Sequence, residues 1–198
     1  MGKVYSDIAV SADGFAAGLN QREDAPFGDI DENWLHGWMF DTAGENRAEV
    51  DAITSAGATI MGRNMFGPVR GEWDREWRGW WGEDPPYHGP VYVLTHFAHE
   101  PIEMMGGTTF HFVTDGIHAA LDRARADAGD RDISIAGGAT TVNAFLAAGL
   151  LDELRLHVTP AVLGAGVRIF DGVPMQQLER VSVREASLVT HITYRPLR

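Results

Sequence analysis

The chain contains no cysteine, which excludes disulfides, thiolate metal sites and a thiol nucleophile together. No apolar run approaches the roughly 18 residues a membrane-crossing helix needs, and the start, Met1-Gly2-Lys3-Val4-Tyr5-Ser6-Asp7, lacks the apolar core of a secretion signal. Basic residues are few: 16 Lys and Arg against 28 Asp and Glu give a formal net charge of −12. The cations are scattered, so nucleic acid and anionic membrane surfaces are excluded as partners. An anionic ligand would need donors placed locally against this field. The patterns G-x-G-x-x-G, G-x-x-x-x-G-K-[ST] and G-x-S-x-G are also missing, which removes the common dinucleotide, P-loop and serine-hydrolase readings. What remains is an ordinary globular composition, 198 residues with 44% hydrophobic and 22% charged. No linker or charge block divides it, so one domain over residues 1–198 is expected, in the cytoplasm.

Residues 133–141 (ISIAGGATT) organise the rest. A short apolar strand runs into a double glycine, and residues 142–150 then have helical spacing. Such a corner brings bare backbone N–H groups and the positive end of a helix dipole to one point, where a phosphate meets no Cβ. Steric packing alone also produces glycine turns of this kind.

Other elements follow in order. Residues 4–10 (VYSDIAV) read as a strand, opening into a small-residue loop from Ser11 to Gly18 and a polar stretch beyond it, either a binding loop or a solvent excursion. Residues 31–40 (DENWLHGWMF) place Trp34, Leu35, Trp38 and Met39 on one helix face, with Asp31 or Asn33 as cap. A second helix spans 45–56 with Val50 and Ile53 inward. Residues 58–61 form a buried strand ending in Gly62-Arg63-Asn64. Residues 71–90 are a loop with four of the six tryptophans, which must fold back on the domain or against a partner subunit. Strands are expected at 90–95 and 108–113, a helix at 115–128 with Ile117, Leu121 and Ala124 on one face, a strand from 152, a glycine-rich turn at 163–170, and two antiparallel strands over 178–197. The whole reads as a three-layer, doubly wound, mostly parallel α/β sheet with antiparallel C-terminal strands. Ligands bind at the carboxyl ends of such strands. Three of those ends carry unusual residues: Gly62-Arg63, Thr95-His96 and Gly137-Gly138. Backbone amides at Gly137-Gly138-Ala139-Thr140 and Arg63-Asn64 could hold a pyrophosphate, and Arg63 with Thr95 or His96 a further phosphate.

At this point the sequence resembles the dihydrofolate-reductase-like family, and within it the reductase domain of bacterial riboflavin biosynthesis and its stand-alone relatives. The matching residues are Ser11-Ala12-Asp13-Gly14-Phe15-Ala16, Met61-Gly62-Arg63, Val93-Leu94-Thr95, Ile135-Ala136-Gly137-Gly138-Ala139-Thr140, and Asp152-Glu153-Leu154 leading to Pro160, Leu163-Gly164-Ala165-Gly166 and Phe170. The resemblance implies NADPH-dependent reduction of a small heterocyclic substrate, pterin- or pyrimidine-like. By it, Ala136, Gly137, Gly138, Ala139 and Thr140 contact the pyrophosphate, Gly62, Arg63 and Asn64 the phosphate region, and Thr95 with His96 the adenosine 2′-phosphate. The loop from Ser11 to Gly18 lies over the nicotinamide, with Val10 and Ala17 near its carboxamide. A homodimer is expected. The alternatives are a nucleotide-binding protein without turnover and a 5-amino-6-(5-phosphoribosylamino)uracil reductase, for whose substrate phosphate Arg47, Arg70 and Arg168 are available.

Three residues are candidates for catalysis. Asp31, with Glu32 beside it, is either the acid that folate reductases carry after the first loop or a helix cap. Asp13 either touches substrate or forms the turn before Gly14. His157 either donates a proton or is a half-buried histidine bonded to its neighbours. His96, His99 and His111 have no carboxylate at ligand spacing, so no metal is expected.

Overall fold

The computed structural model describes residues 2–68 and 70–197. Its centre is β1 (Val4–Ser11), buried at every position, as a strand covered on both faces must be. β1 pairs in parallel with β7 (Ile133–Gly137) on one side and β8 (Glu153–Thr159) on the other. Beyond β7 the sheet continues in parallel through β3 (Ala58–Gly62), β4 (Pro90–Leu94) and β6 (Thr109–Val113), and ends on the short antiparallel β5 (Ile102–Glu103). Beyond β8 come β11 (Val189–Pro196) and β10 (Leu178–Ala186), both antiparallel to their neighbours. The nine-stranded order is β10-β11-β8-β1-β7-β3-β4-β6-β5. The mostly parallel sheet with antiparallel C-terminal strands is therefore the architecture that the alternation of elements predicts.

Side chains alternate across β1. Val4, Ile8 and Val10 join one core with α4 (Gly116–Ala128) and α5 (Ala139–Ala147), through Leu121, Ala124, Phe145 and Leu146. Tyr5 and Asp7 point to the other face, where the Tyr5 hydroxyl donates to the carbonyl of Ala52 in α2 (Arg47–Ile53) and α1 (Asn33–Phe40) packs on β1. Over β3, β4 and β6 this second face is covered by the 71–90 loop. Trp73, Trp77 and Trp81 pack on a core of Met61, Phe66, Val91, Val93 and Phe110, so the tryptophans fold back on their own chain.

The structure corrects the helix readings. Trp34 is 54% exposed while Leu35 and Trp38 are buried. Helix residues one apart differ by about 100°, and Leu35 and Trp38, three apart, set the inward direction. α2 covers only Arg47–Ile53, with Val50 and Ile53 half-buried. Asn46 stands at its N-cap position without capping it, because its Oδ1 is turned to Arg184 and His191 while its amide nitrogen donates back to the carbonyls of Trp38 and Thr42. A small antiparallel pair unforeseen in the sequence, β2 (Phe15–Ala17) with β9 (Val167–Arg168), stitches the first loop to the glycine-rich turn. At their contact Gly166 has φ +146, and a Cβ there would fall 2.0 Å from the Ala17 carbonyl oxygen. Only glycine fits that position. Among the described residues, no helix is long and apolar enough to cross a membrane.

Candidate functional site

The three unusual strand ends lie side by side. β7, β3 and β4 are consecutive in the sheet, with Met61 opposite Gly137 and Gly62 opposite Leu94. Gly137 has φ +121 and joins Gly138 through a cis peptide. Gly138 then stands at the N-cap of α5, an extended residue with no side chain to cap the helix. Its carbonyl accepts from the N–H groups of Thr141 and Val142. Among the described hydrogen bonds none is donated by the N–H of Gly138, Ala139 or Thr140, so the positive end of α5 presents unpaired donors. α5 lies tight on the neighbouring strand: a Cβ at Gly62 would sit 2.5 Å from Thr141 Oγ1. From Thr140 a groove of about 460 Å³ runs between α5 and the turn of Gly166 and Arg168.

At the next strand end the polar groups have partners. Between them, α3 (Arg63–Phe66) begins directly at the end of β3. Arg63 is 9% exposed; its guanidinium stacks 3.4 Å from the centre of the Trp73 ring and donates to Thr95 Oγ1 at 2.8 Å and to the Gly71 carbonyl at 3.1 Å. Its Nε is buried with no partner. Burial, and then Arg70 nearby, pushes its pKa down. Thr95 Oγ1 also accepts from the Phe97 N–H. Arg63 thus ties the tryptophan loop to the strand ends, while Asn64 and His96 are exposed beside it.

Asp13 holds the first loop in place. One of its oxygens accepts from the Ser11 hydroxyl at 2.6 Å and the Leu163 N–H at 3.1 Å, the other from the Gly164 N–H at 2.7 Å. These donors, the Ser11 hydroxyl foremost, lower its pKa to about 2. The carboxylate is fully engaged in joining the 11–18 loop to the glycine-rich turn. Val10 and Ala17 are buried at the two ends of that loop. Asp31 is exposed, and its Oδ1 accepts from the Asn33 N–H at 3.0 Å in the turn that precedes α1, whose N-cap position is Glu32.

His157 is the second of its two readings, a buried histidine in a network. Its Nε2 lies 3.2 Å from Asp7 Oδ1 and its Nδ1 lies 2.7 Å from Nδ1 of His191. Trp38 covers both rings, with centroids 4.7 and 5.1 Å away. The remaining partners, Asp7, Asn46 and His191, went unread in the sequence. So did His36, half-buried on α1 against Phe27 at 4.4 Å between centroids. Its Nδ1 is buried without a partner, and burial holds its pKa at about 4, so it is neutral at pH 7. Among the described residues no group of His, Asp or Glu side chains is arranged to hold a metal.

Comparison with known proteins agrees with this architecture. The RibD C-terminal domain family matches residues 2–192. YyaP of Bacillus subtilis (strain 168), an uncharacterized protein, is 26% identical over 200 residues, covering 97% of this chain and 94% of its own. A crystal structure described under riboflavin biosynthesis, from Shewanella sp. PV-4, superposes with a TM-score of 0.68 at 21% identity over 99% of both chains. The Thermotoga maritima diaminohydroxyphosphoribosylaminopyrimidine deaminase/5-amino-6-(5-phosphoribosylamino)uracil reductase gives 0.61 at 16%, this chain covering 57% of it. Enterococcus faecalis dihydrofolate reductase complexed with NADP(H) gives 0.58 at 15%, over 98% of this chain and 96% of that one. The structural likenesses establish a dihydrofolate-reductase-like fold, and the family match, spanning all but the ends of the sequence, places the chain in the RibD C-terminal domain family.

Proposed function

We propose that the protein is an NADPH-dependent reductase that transfers a hydride to a small heterocyclic acceptor. The observation that carries this reading is the set of unpaired N–H groups at Gly138, Ala139 and Thr140, aimed from an uncapped helix at the ends of three adjacent parallel strands. Such donors match a pyrophosphate in number and sign, and need no further cation in a chain of net charge −12. The cofactor, when bound, supplies the hydride.

In this reading each part of the chain has a task. The amides of α5 hold the pyrophosphate. Arg63, fixed by Trp73 and Thr95, supplies positive charge beside the exposed His96 for the 2′-phosphate. The loop pinned by Asp13 closes over the nicotinamide between Val10 and Ala17 and keeps water out. The acceptor lies against α1, whose buried His36 is held neutral by desolvation. Asp13, Asp31 and His157 are all committed to protein partners, so the proton that completes the reduction comes from solvent.

Titration with NADPH and NADH, followed by quenching of the tryptophans, tests the reading. NADPH binding at least tenfold tighter than NADH is expected, because one charge-assisted phosphate contact is worth about 1.5–3 kcal/mol. Failure of both to bind would refute it. The engagement of all three carboxylate and histidine candidates favours a second reading, a nucleotide-binding protein without turnover. Steady NADPH oxidation with any pterin, pyrimidine or quinone would exclude that one.

A further inference from the structure

The polar chain that fastens α1 and α2 to the sheet has a proton count dictated by its own geometry. Asn46 sets one end. Its Nδ2 donates to two carbonyls, of Trp38 at 3.1 Å and Thr42 at 3.0 Å, and Arg184, which can only donate, bonds its Oδ1 at 2.8 Å. The amide orientation is therefore fixed twice over. His191 Nε2, 2.9 Å from that same Oδ1, must carry a hydrogen. Asp7 sets the other end. Its Oδ2 accepts from Arg155 Nη1 at 3.3 Å, and its Oδ1 faces His157 Nε2 at 3.2 Å. With a cation on its other oxygen, the carboxylate is the acceptor and His157 Nε2 the donor. Between the rings, Nδ1 faces Nδ1 at 2.7 Å, a distance that requires one hydrogen between them. The two imidazoles thus hold three N–H hydrogens, where two neutral rings would hold two.

We propose that His157 and His191 form a shared-proton dyad, one positive charge on two rings balanced by Asp7, which clamps α1 and α2 onto the sheet in that protonation state alone. Removal of the shared proton leaves two lone pairs facing each other at 2.7 Å. Addition of a fourth sets N–H against N–H and imidazolium against imidazolium. Both changes push apart the rings on which Trp38 rests, and Trp38 carries α1 with it. The charged and titratable groups around the dyad divide the charge within it. Asp7 and Arg155 face His157 from β1 and β8, while Arg184 of β10, paired with Glu49 of α2, stands beyond Asn46. His36 of α1 is the remaining neighbour. The Asp7 carboxylate lies on the His157 side of the dyad and the Arg184 guanidinium on the His191 side. Burial, with His157 next, lowers the His191 pKa to about 4.

Two measurements on the free protein test this, and neither depends on the cofactor reading. In nitrogen-15 spectra of the assigned His157 and His191 rings at neutral pH, three of the four ring nitrogens are expected to be protonated. Two would overturn the proposal. Hydrogen exchange of the α1 amides tests the clamp. An opening that releases one proton lowers the protection factor tenfold for each pH unit on the alkaline side, and His191→Phe, which keeps a ring under Trp38 but no shared proton, is expected to abolish that slope. Protection independent of pH in the native protein, or an unchanged slope in His191→Phe, would overturn the clamp. If that variant does not fold, the native slope and the ring spectrum decide the matter.

Discussion

Gly62→Ala isolates the packing on which the candidate phosphate site depends. Gly62 has φ −80 and ψ 156, a conformation open to any residue, so alanine introduces no backbone strain. The whole cost is one contact: the new Cβ meets Thr141 Oγ1 at 2.5 Å, and the next nearest atom is the Gly137 carbonyl oxygen at 3.7 Å. An ordinary contact needs about 3.5–4 Å, so Thr141 and the first turn of α5 must retreat by roughly 1 Å. Overpacking of this kind costs about 1–3 kcal/mol, which lowers the melting temperature of a chain this size by about 2–12 °C. The same retreat carries the amides of Gly138, Ala139 and Thr140 away from the strand ends, and NADPH affinity is expected to fall at least tenfold. Thr141→Ala removes the obstructing oxygen, so the double variant is expected to recover both quantities, with a coupling of about 1 kcal/mol or more in a double-mutant cycle. Thr141→Ser keeps Oγ1 and is expected to rescue neither. Calorimetry and fluorescence titration of the wild type, the two single variants and the two double variants provide the assay. Strict additivity, or rescue by serine equal to that by alanine, would refute the reasoning.

Other perturbations address the loop, the helix wall and the tryptophan layer. Asp13, lowered from 3.8 to about 2 chiefly by the Ser11 hydroxyl, contributes stability that is present above pH 3.8 and lost as pH falls towards 2. Asp13→Asn is expected to flatten that acid limb in a series of melting temperatures. His36 is lowered from 6.5 to about 4 by burial, so the unfolded chain takes up its proton first and stability declines as pH falls from 6.5 to 4. In the same series, His36→Phe reduces that decline, and the part that remains belongs to His191, also lowered to about 4. Trp73→Ala removes the ring under which Arg63 lies and the bond from its indole N–H to the Phe97 carbonyl. A loss of about 3 kcal/mol in chemical denaturation is expected, with weaker NADPH binding. A loss under 1 kcal/mol would show that the loop is not part of the core.

How much of this was legible in the sequence depends on whether a residue's meaning is local. The strand ends were readable because an apolar run that halts at Gly62 or Gly137 states its own boundary, and the alternation of strand and helix set those ends on one edge of a parallel sheet. Trp34 was misread for a local reason too: Trp34, Leu35, Trp38 and Met39 span nearly half the helix circumference, and only the sheet decides which part turns inward. His157 was visible as one polar residue in an alternating strand. Its meaning came from Asp7 and His191, which are 150 and 34 residues away in sequence and meet it through strand registers that no local pattern encodes. Arg63 makes the complementary point. A guanidinium at a strand end reads as a phosphate ligand with free nitrogens, and folding adds what the sequence does not state: the terminal nitrogens also bond Thr95 and Gly71 and the group stacks on Trp73, because the 71–90 loop takes the place of a helix over that face. The amides of Gly138, Ala139 and Thr140 stay unpaired among the described hydrogen bonds for the opposite reason. They begin a helix whose cap is glycine, so no described residue competes for them. A site is what remains unpaired once the fold has claimed its partners, and backbone donors at a bare helix start are the groups whose availability a sequence can state in advance.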